Sequence, residues 1–361
     1  MEGFCLGVSP RSTGRDIKVL TCLTEPQGNL KNRTVRKLKN MKAGQIVAPR
    51  QIEIVDIEQP NLADYPDGTV MIKTVHSAIC GTDMPAFVLE HPAESYPLGA
   101  GLSIHEAIGI VTESTSDKFK AGDEVLALPR YIGGLSEYFL SDESVTLPLT
   151  DFPRKDCILM SQPLGTVVWA CRKLPNLLNL DTVVMGQGPM GLLFTHLLSN
   201  LGAKTVITTD LVDFRLAVSK KMRATHTINT AKEDLIAVIE EITEGRMADL
   251  VIEVVGHQTE TINECLSLLK RDGTLLAFGV PDDQIYDFHF ADFFRKNIRF
   301  IGSVGPDAPN DFPLAMDMIA QGRLDVSPII THHLPFTEAQ LGFEMALNKK
   351  HEAIKIVFDY E

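Results

Sequence analysis

The sequence predicts an α/β protein in two parts, a strand-rich, barrel-like β domain followed by a parallel sheet wound with helices. Three observations predict it. Up to about Gln162 the apolar residues fall in short β-branched runs broken by turn residues. From about Gly165 to Gly305 apolar strands alternate with amphipathic helical stretches, the signature of a parallel sheet. The 361 residues, 44% apolar and 22% charged, suit roughly two domains rather than one core. The formal charge of -13 would repel a phosphate backbone, which argues against nucleic acid as a partner. The stretch Thr182 to Ala203 lacks Asp, Glu, Lys and Arg, but its four glycines and one proline argue against a membrane span. Six scattered cysteines, with no secretory apolar segment at the start, read as reduced thiols in a cytoplasmic protein.

Residues 1–40 stand apart. They carry eight Lys or Arg against three acids and no apolar period, so an extension is expected there: an organellar transit peptide, an unstructured tail or an upstream start. Three acids favour the tail or the upstream start over the transit peptide. From Met41 a β-hairpin opens the folded body, with a turn at Ala48-Pro49-Arg50 and a second strand over Ile52 to Glu58. Further strands are predicted over Thr69 to Ile79, Ile108 to Val111 and beyond the turn Phe119 to Val125. The second block reads as strands at 182–185, 205–209, 250–254, 274–278 and 299–302. The tail adds helices over 313–321 and about 338–347, then a closing strand over 354–358.

Two motifs carry chemistry. The first begins where strand 182–185 meets Gly186-Gln187-Gly188-Pro189-Met190-Gly191, followed by a helix with Leu193, Leu197, Leu198 and Leu201 on one face, then a strand ending in Asp210. Gly186 permits a tight turn, Gly188 lets backbone approach a pyrophosphate, Gly191 packs helix on strand, and the helix N-terminus faces the phosphates. Asp210, nineteen residues after Gly191, suits the ribose diol of NAD and would repel the 2'-phosphate of NADP. Arg215 is a possible counterweight on the next helix. The second motif is Cys80-Gly81-Thr82-Asp83 with His105-Glu106 twenty-five residues on. Thiolate, imidazole and carboxylate are donors that suit zinc, and about three protein ligands leave a position open.

With these residues in place the chain resembles the zinc-dependent medium-chain dehydrogenases, the alcohol and polyol dehydrogenase superfamily, over nearly all of Met41 to Glu361. The likeness includes Cys80-Gly81-Thr82-Asp83, His105-Glu106-Ala107-Ile108-Gly109, Ala121-Gly122-Asp123-Glu124-Val125, Gly133-Gly134-Leu135-Ser136-Glu137-Tyr138, Gln162-Pro163-Leu164, the glycine fingerprint and Ile252-Glu253-Val254-Val255-Gly256. It implies a GroES-like catalytic domain over 41–164 and 306–361, and a Rossmann NAD-binding domain over 165–305. It implies a catalytic zinc held by Cys80 and His105, with Glu106 either a ligand or beside one, and Gln162 where relatives place a cysteine or glutamate. The usual four-cysteine lobe has no counterpart, so one zinc and no structural zinc is expected. Ile104 replaces the glycine usual before the histidine, and Pro85 stands where relatives often place a relay histidine.

The activity implied is hydride transfer between an alcohol, polyol or sugar hydroxyl and NAD, Thr82 passing on the hydroxyl proton. Asp83 either fixes the His105 ring or caps the strand end. The family likeness also implies a homodimer or homotetramer joined through edge residues 297–304. Two alternatives stay open: a zinc-free reductase of an activated double bond, which would not need Cys80 with His105, and a nucleotide-binding protein without chemistry, against which Thr82 argues.

Overall fold

A computed structural model describes residues 39–89, 91–257, 260–281, 284–348 and 352–361. The expectation for residues 1–38 falls outside that range. Lys39 and Asn40 already belong to the folded body: Asn40 opens the first strand, and the Gln59 amide donates to the Lys39 carbonyl at 2.8 Å. The hairpin pairs Asn40–Ala48 with Gln51–Glu58, and its two-residue turn places Arg50 at φ 61°.

Two sheets follow. The first is mostly antiparallel, in the order Ile330–Pro335, Lys355–Asp359, Thr69–Ala78, Glu106–Ser114, Glu124–Ala127, Thr146–Pro148, with Tyr138–Asp142 pairing on Thr69–Ala78. It is the strand-rich β domain that the sequence predicts. The second is parallel throughout, in the order His226–Asn229, Thr205–Asp210, Asp181–Met185, Ala248–Glu253, Leu269–Ala277, Arg299–Gly302. In chain order these are its third, second, first, fourth, fifth and sixth strands, so the direction of winding reverses beside Asp181–Met185. That reversal opens a crevice beyond the carboxyl ends of Met185 and Glu253, where doubly wound sheets bind nucleotides. At the opposite ends of the strands, buried Asp181 accepts the Thr205 hydroxyl at 3.0 Å and lies 3.1 Å from Arg246.

One apolar cluster runs through both parts. It joins Ala78, Ile108, Leu126 and Val357 of the first sheet to Val184, Ile252 and Leu276 of the second through Leu164, Val167, Phe312 and Met316. Those last four lie on helices Ser161–Cys171 and Ala308–Ala320, joined also by Arg172 Nε, 2.9 Å from the buried Asp311 carboxylate. Burial raises the Asp311 carboxyl above its ordinary range, Arg172 notwithstanding.

The strand-rich reading up to Gln162 needs correction at its end. Lys155–Leu159 and Ser161–Cys171 are helical, Pro163 standing in the first turn where its missing N–H costs nothing. The helix expected from Pro313 starts earlier, at Ala308, with Pro309 near its start and Pro313 inside. Its first turn hid behind the second proline. Leu193, Leu197 and Leu198 are buried on Pro189–Asn200 as the period requires, whereas Leu201 follows the helix end and is exposed. Among the described residues no helix is long and apolar enough to cross a membrane.

His196, buried on helix Pro189–Asn200, ties that helix to the tail by accepting the Asp325 amide at Nε2, 3.0 Å away. Burial, helped by Arg223, pushes the imidazole down to about 4. A group whose folded value lies below its unfolded value of 6.5 stabilises fully above that pH and stops doing so as pH falls toward 4. Stability against thermal unfolding is therefore expected to fall between pH 6.5 and 4 by about 1–2 kcal/mol from this residue, after discounting for solvent screening. His196→Gln should flatten that part of the profile, and an unchanged slope would refute the assignment.

Candidate active site

The strand Thr69–Ala78 runs out at Cys80, where a single helical turn, Gly81–Asp83, reverses the chain. That turn folds because the Asp83 carboxylate reaches back: its Oδ2 accepts the Cys80 amide at 2.7 Å. The other oxygen, Oδ1, accepts His105 Nδ1–H at 3.0 Å. Asp83 thus takes both roles that the sequence left open, capping the turn and orienting the imidazole. It is 1% exposed, and the Ser103 hydroxyl donates to its carbonyl at 3.1 Å.

With Nδ1 engaged, Nε2 is the His105 nitrogen left for a ligand. Burial disfavours the imidazolium, but the hydrogen bonds to Asp83 and Cys80, with their charges, outweigh it and raise the ring to about 11, so a metal at Nε2 would have to displace a proton. Cys80 Sγ, a His105 nitrogen and a Glu106 oxygen lie within 4.8 Å of one another. Among the described residues this is the grouping of three metal-capable side chains that the fold assembles. The Thr82 hydroxyl donates to Cys80 Sγ at 3.3 Å and is otherwise open to solvent. Ile104, in the glycine's place, is fully buried beside Ile46, Phe87 and Leu135. Pro85 stands in the first turn of a short helix, Met84–Val88, where proline is tolerated.

Glu106 has a partner that the sequence reading missed. Lys355 Nζ lies 2.6 Å from Glu106 Oε2, both side chains 1% exposed, and donates to the Ile79 carbonyl at 2.9 Å. The signal was a lone lysine within the apolar run Ile354 to Phe358. Pairing of the last strand with the end of Thr69–Ala78 puts it next to Cys80. A charge that deep stays ionised only when paired. Gln162 is buried one residue into helix Ser161–Cys171.

The glycine turn lies in the crevice of the parallel sheet. Gly186 takes φ 95°, and its amide donates to the Thr209 carbonyl at 2.9 Å. A Cβ on Gly191 would sit 1.9 Å from the Gly186 carbonyl oxygen, so only glycine fits between helix and turn. A Cβ on Gly188 would meet nothing within 4 Å. That open face, at the N-terminus of Pro189–Asn200, is where a pyrophosphate would approach. Asp210 closes its strand with Oδ2 accepting the Gln187 amide at 2.8 Å and Oδ1 accepting the Val212 amide at 2.9 Å. Arg215 Nη1 stands 3.8 Å from Asp210, so the expected counterweight faces the carboxylate itself.

Known proteins share this fold. Residues 66–151 match the alcohol dehydrogenase GroES-like domain, and residues 189–321 match the zinc-binding dehydrogenase family. The chain is 28% identical to D-arabitol-phosphate dehydrogenase of Enterococcus avium, over 86% of this chain and 95% of that one. It is 27% identical to L-threonine 3-dehydrogenase of Chromobacterium violaceum, over 89% of this chain and all of that one. An alcohol dehydrogenase structure from Thermus sp. ATN1 shares the fold with a TM-score of 0.80 at 20% identity, covering 89% of this chain and 100% of its own. The two family matches fall one on each sheet and the curated relatives run nearly end to end, so the chain belongs to the zinc-dependent medium-chain dehydrogenase superfamily and is a dehydrogenase.

Proposed function

We propose that this dehydrogenase is zinc-dependent and NAD-linked, and that it oxidises a hydroxyl of an alcohol, polyol or sugar or reduces the matching carbonyl. The observation that carries the reading is the convergence of Cys80, His105 and Glu106 within 4.8 Å in a chain that also has an open glycine turn. Thiolate and imidazole with a nearby carboxylate fit zinc. Cys80 and His105 would hold it, with the neutral Gln162 amide as a further donor. Glu106, already paired with Lys355, would stand beside the ion or join it. Bound there, zinc supplies Lewis acidity toward the substrate oxygen, and NAD supplies the hydride acceptor. Asp83 keeps His105 in one tautomer, and Thr82 accepts the hydroxyl proton and hands it toward the cofactor ribose. The D-arabitol-phosphate and L-threonine dehydrogenases among the relatives support a small polar hydroxyl compound as substrate. A zinc-free double-bond reductase is the weaker reading, because it leaves the Cys80 and His105 pair without a task.

About one zinc per chain is expected by elemental analysis, with Cys80→Ser abolishing turnover while NAD binding survives on the other sheet. Asp83→Asn should weaken zinc binding roughly 10- to 100-fold by freeing the imidazole. Two zincs per chain, or none after metal-replete purification, would sink the reading.

Cofactor choice follows from Asp210. Facing a 2'-phosphate, the carboxylate would cost NADP about 2 kcal/mol, roughly 30-fold, the low end of such effects because Arg215 lies 3.8 Å away. Values of kcat/KM for the two cofactors decide it: equality or a preference for NADP refutes the assignment. Asp210→Ser should narrow the gap by weakening NAD and admitting NADP.

The outer strand Arg299–Gly302 pairs on one side, with Leu269–Ala277, and Phe300 and Val304 are exposed there. This supports a homodimer or homotetramer joined through that edge. Light scattering at micromolar chain should give an even-numbered assembly, and a monomer would refute it.

A further inference from the structure

We propose that Gln187, the residue between the first two fingerprint glycines, is a positioning residue for the nucleotide, its buried amide holding the pyrophosphate turn in shape. A side chain at that position could point outward to solvent. Here it turns inward and is fully buried. Its Nε2 donates to the Gly186 carbonyl at 2.9 Å and to the Val184 carbonyl at 3.2 Å, using both amide hydrogens. Its Oε1 accepts from the Thr195 hydroxyl at 3.0 Å, a proton shared with the Gly191 carbonyl 2.8 Å away. Thr195 is also fully buried, on the helix whose N-terminus faces the crevice.

These contacts join three separate parts. The carboxamide fastens strand end, glycine turn and following helix, while the Gln187 amide fastens the turn to Asp210 Oδ2. The pyrophosphate side and the ribose side of the site therefore share one residue. A turn with three glycines has many conformations to lose when it binds, and prior fastening removes that loss from the binding step. A leucine of similar size would fill the space but strand the Gly186 carbonyl and remove the carboxamide's ties to the Val184 carbonyl and the Thr195 hydroxyl. The inference rests on the reading of this turn as the pyrophosphate site.

The test is titration of the zinc-loaded protein with NADH, followed by its fluorescence, and with ADP-ribose and adenosine as competitors. Gln187→Leu should raise the Kd of NADH and ADP-ribose about tenfold or more and that of adenosine at most about threefold, because adenosine lacks the pyrophosphate. Zinc content should stay the same, and turnover should show a raised KM for NAD with kcat at saturation nearly unchanged. An unchanged NADH affinity overturns the proposal, as does an equal loss for adenosine, which would mean general damage to the sheet. If Gln187→Leu does not fold, Thr195→Val should reproduce the loss and Thr195→Ser restore affinity; equal affinities in those two overturn it. Failure of the unaltered protein to bind NADH would instead overturn the dinucleotide reading on which the proposal stands.

Discussion

The cluster of Cys80, His105 and Glu106 is organised by one buried carboxylate. Asp83 accepts the Cys80 amide with one oxygen and His105 Nδ1–H with the other, so two ligand candidates twenty-five residues apart are set by a single planar group. A carboxylate away from water must be fully hydrogen-bonded to remain ionised. Here the partners that satisfy it are those it has to place. The strand Thr69–Ala78 delivers Cys80, its antiparallel neighbour Glu106–Ser114 delivers His105 and Glu106, and the last strand delivers Lys355. Tertiary pairing brings the elements near, and Asp83 sets the final geometry.

The glycine turn follows a different rule. Its polar ties are made by backbone and by uncharged or self-paired side chains, and close packing rather than ionic contact decides which residues fit. Gly191 is demanded by the carbonyl of Gly186, whereas Gly188 meets nothing, so the two glycines answer to different neighbours, one within the chain and one in the crevice. The cluster and the turn both rest on helices Ser161–Cys171 and Ala308–Ala320, whose apolar faces belong to one core with the two sheets.

How much of this was legible in the sequence depends on whether the signal was local. Five of the six parallel strands, the glycine turn and Asp210 are written in short contiguous patterns, and the structure places them with ends shifted by one to five residues, whereas the four-residue strand His226–Asn229 was too short and polar to stand out. Cys80, Asp83 and His105 were recognisable as donors, but the double role of Asp83 depends on two bonds in different directions that no spacing encodes. Lys355 lies far along the chain from Glu106, and only the register of the closing strand joins them. Helix Ser161–Cys171 escaped notice because Gln162 and Pro163 read as the end of a strand-rich block, although proline is at home in a first helical turn. The start of Ala308–Ala320 was hidden in the same way, by taking Pro313 as its beginning.

The Glu106 and Lys355 pair also bears on how this sequence can change over time. Losing one partner strands the other's charge in the interior, a penalty of about 3–5 kcal/mol and a large part of a typical folding stability. Replacing both by apolar residues of similar volume is often neutral. Single steps at either position are therefore closed to drift, while a simultaneous exchange is open. Among homologues of this chain the two positions should vary together or not at all, and a lineage that keeps the glutamate should keep a cation on its last strand.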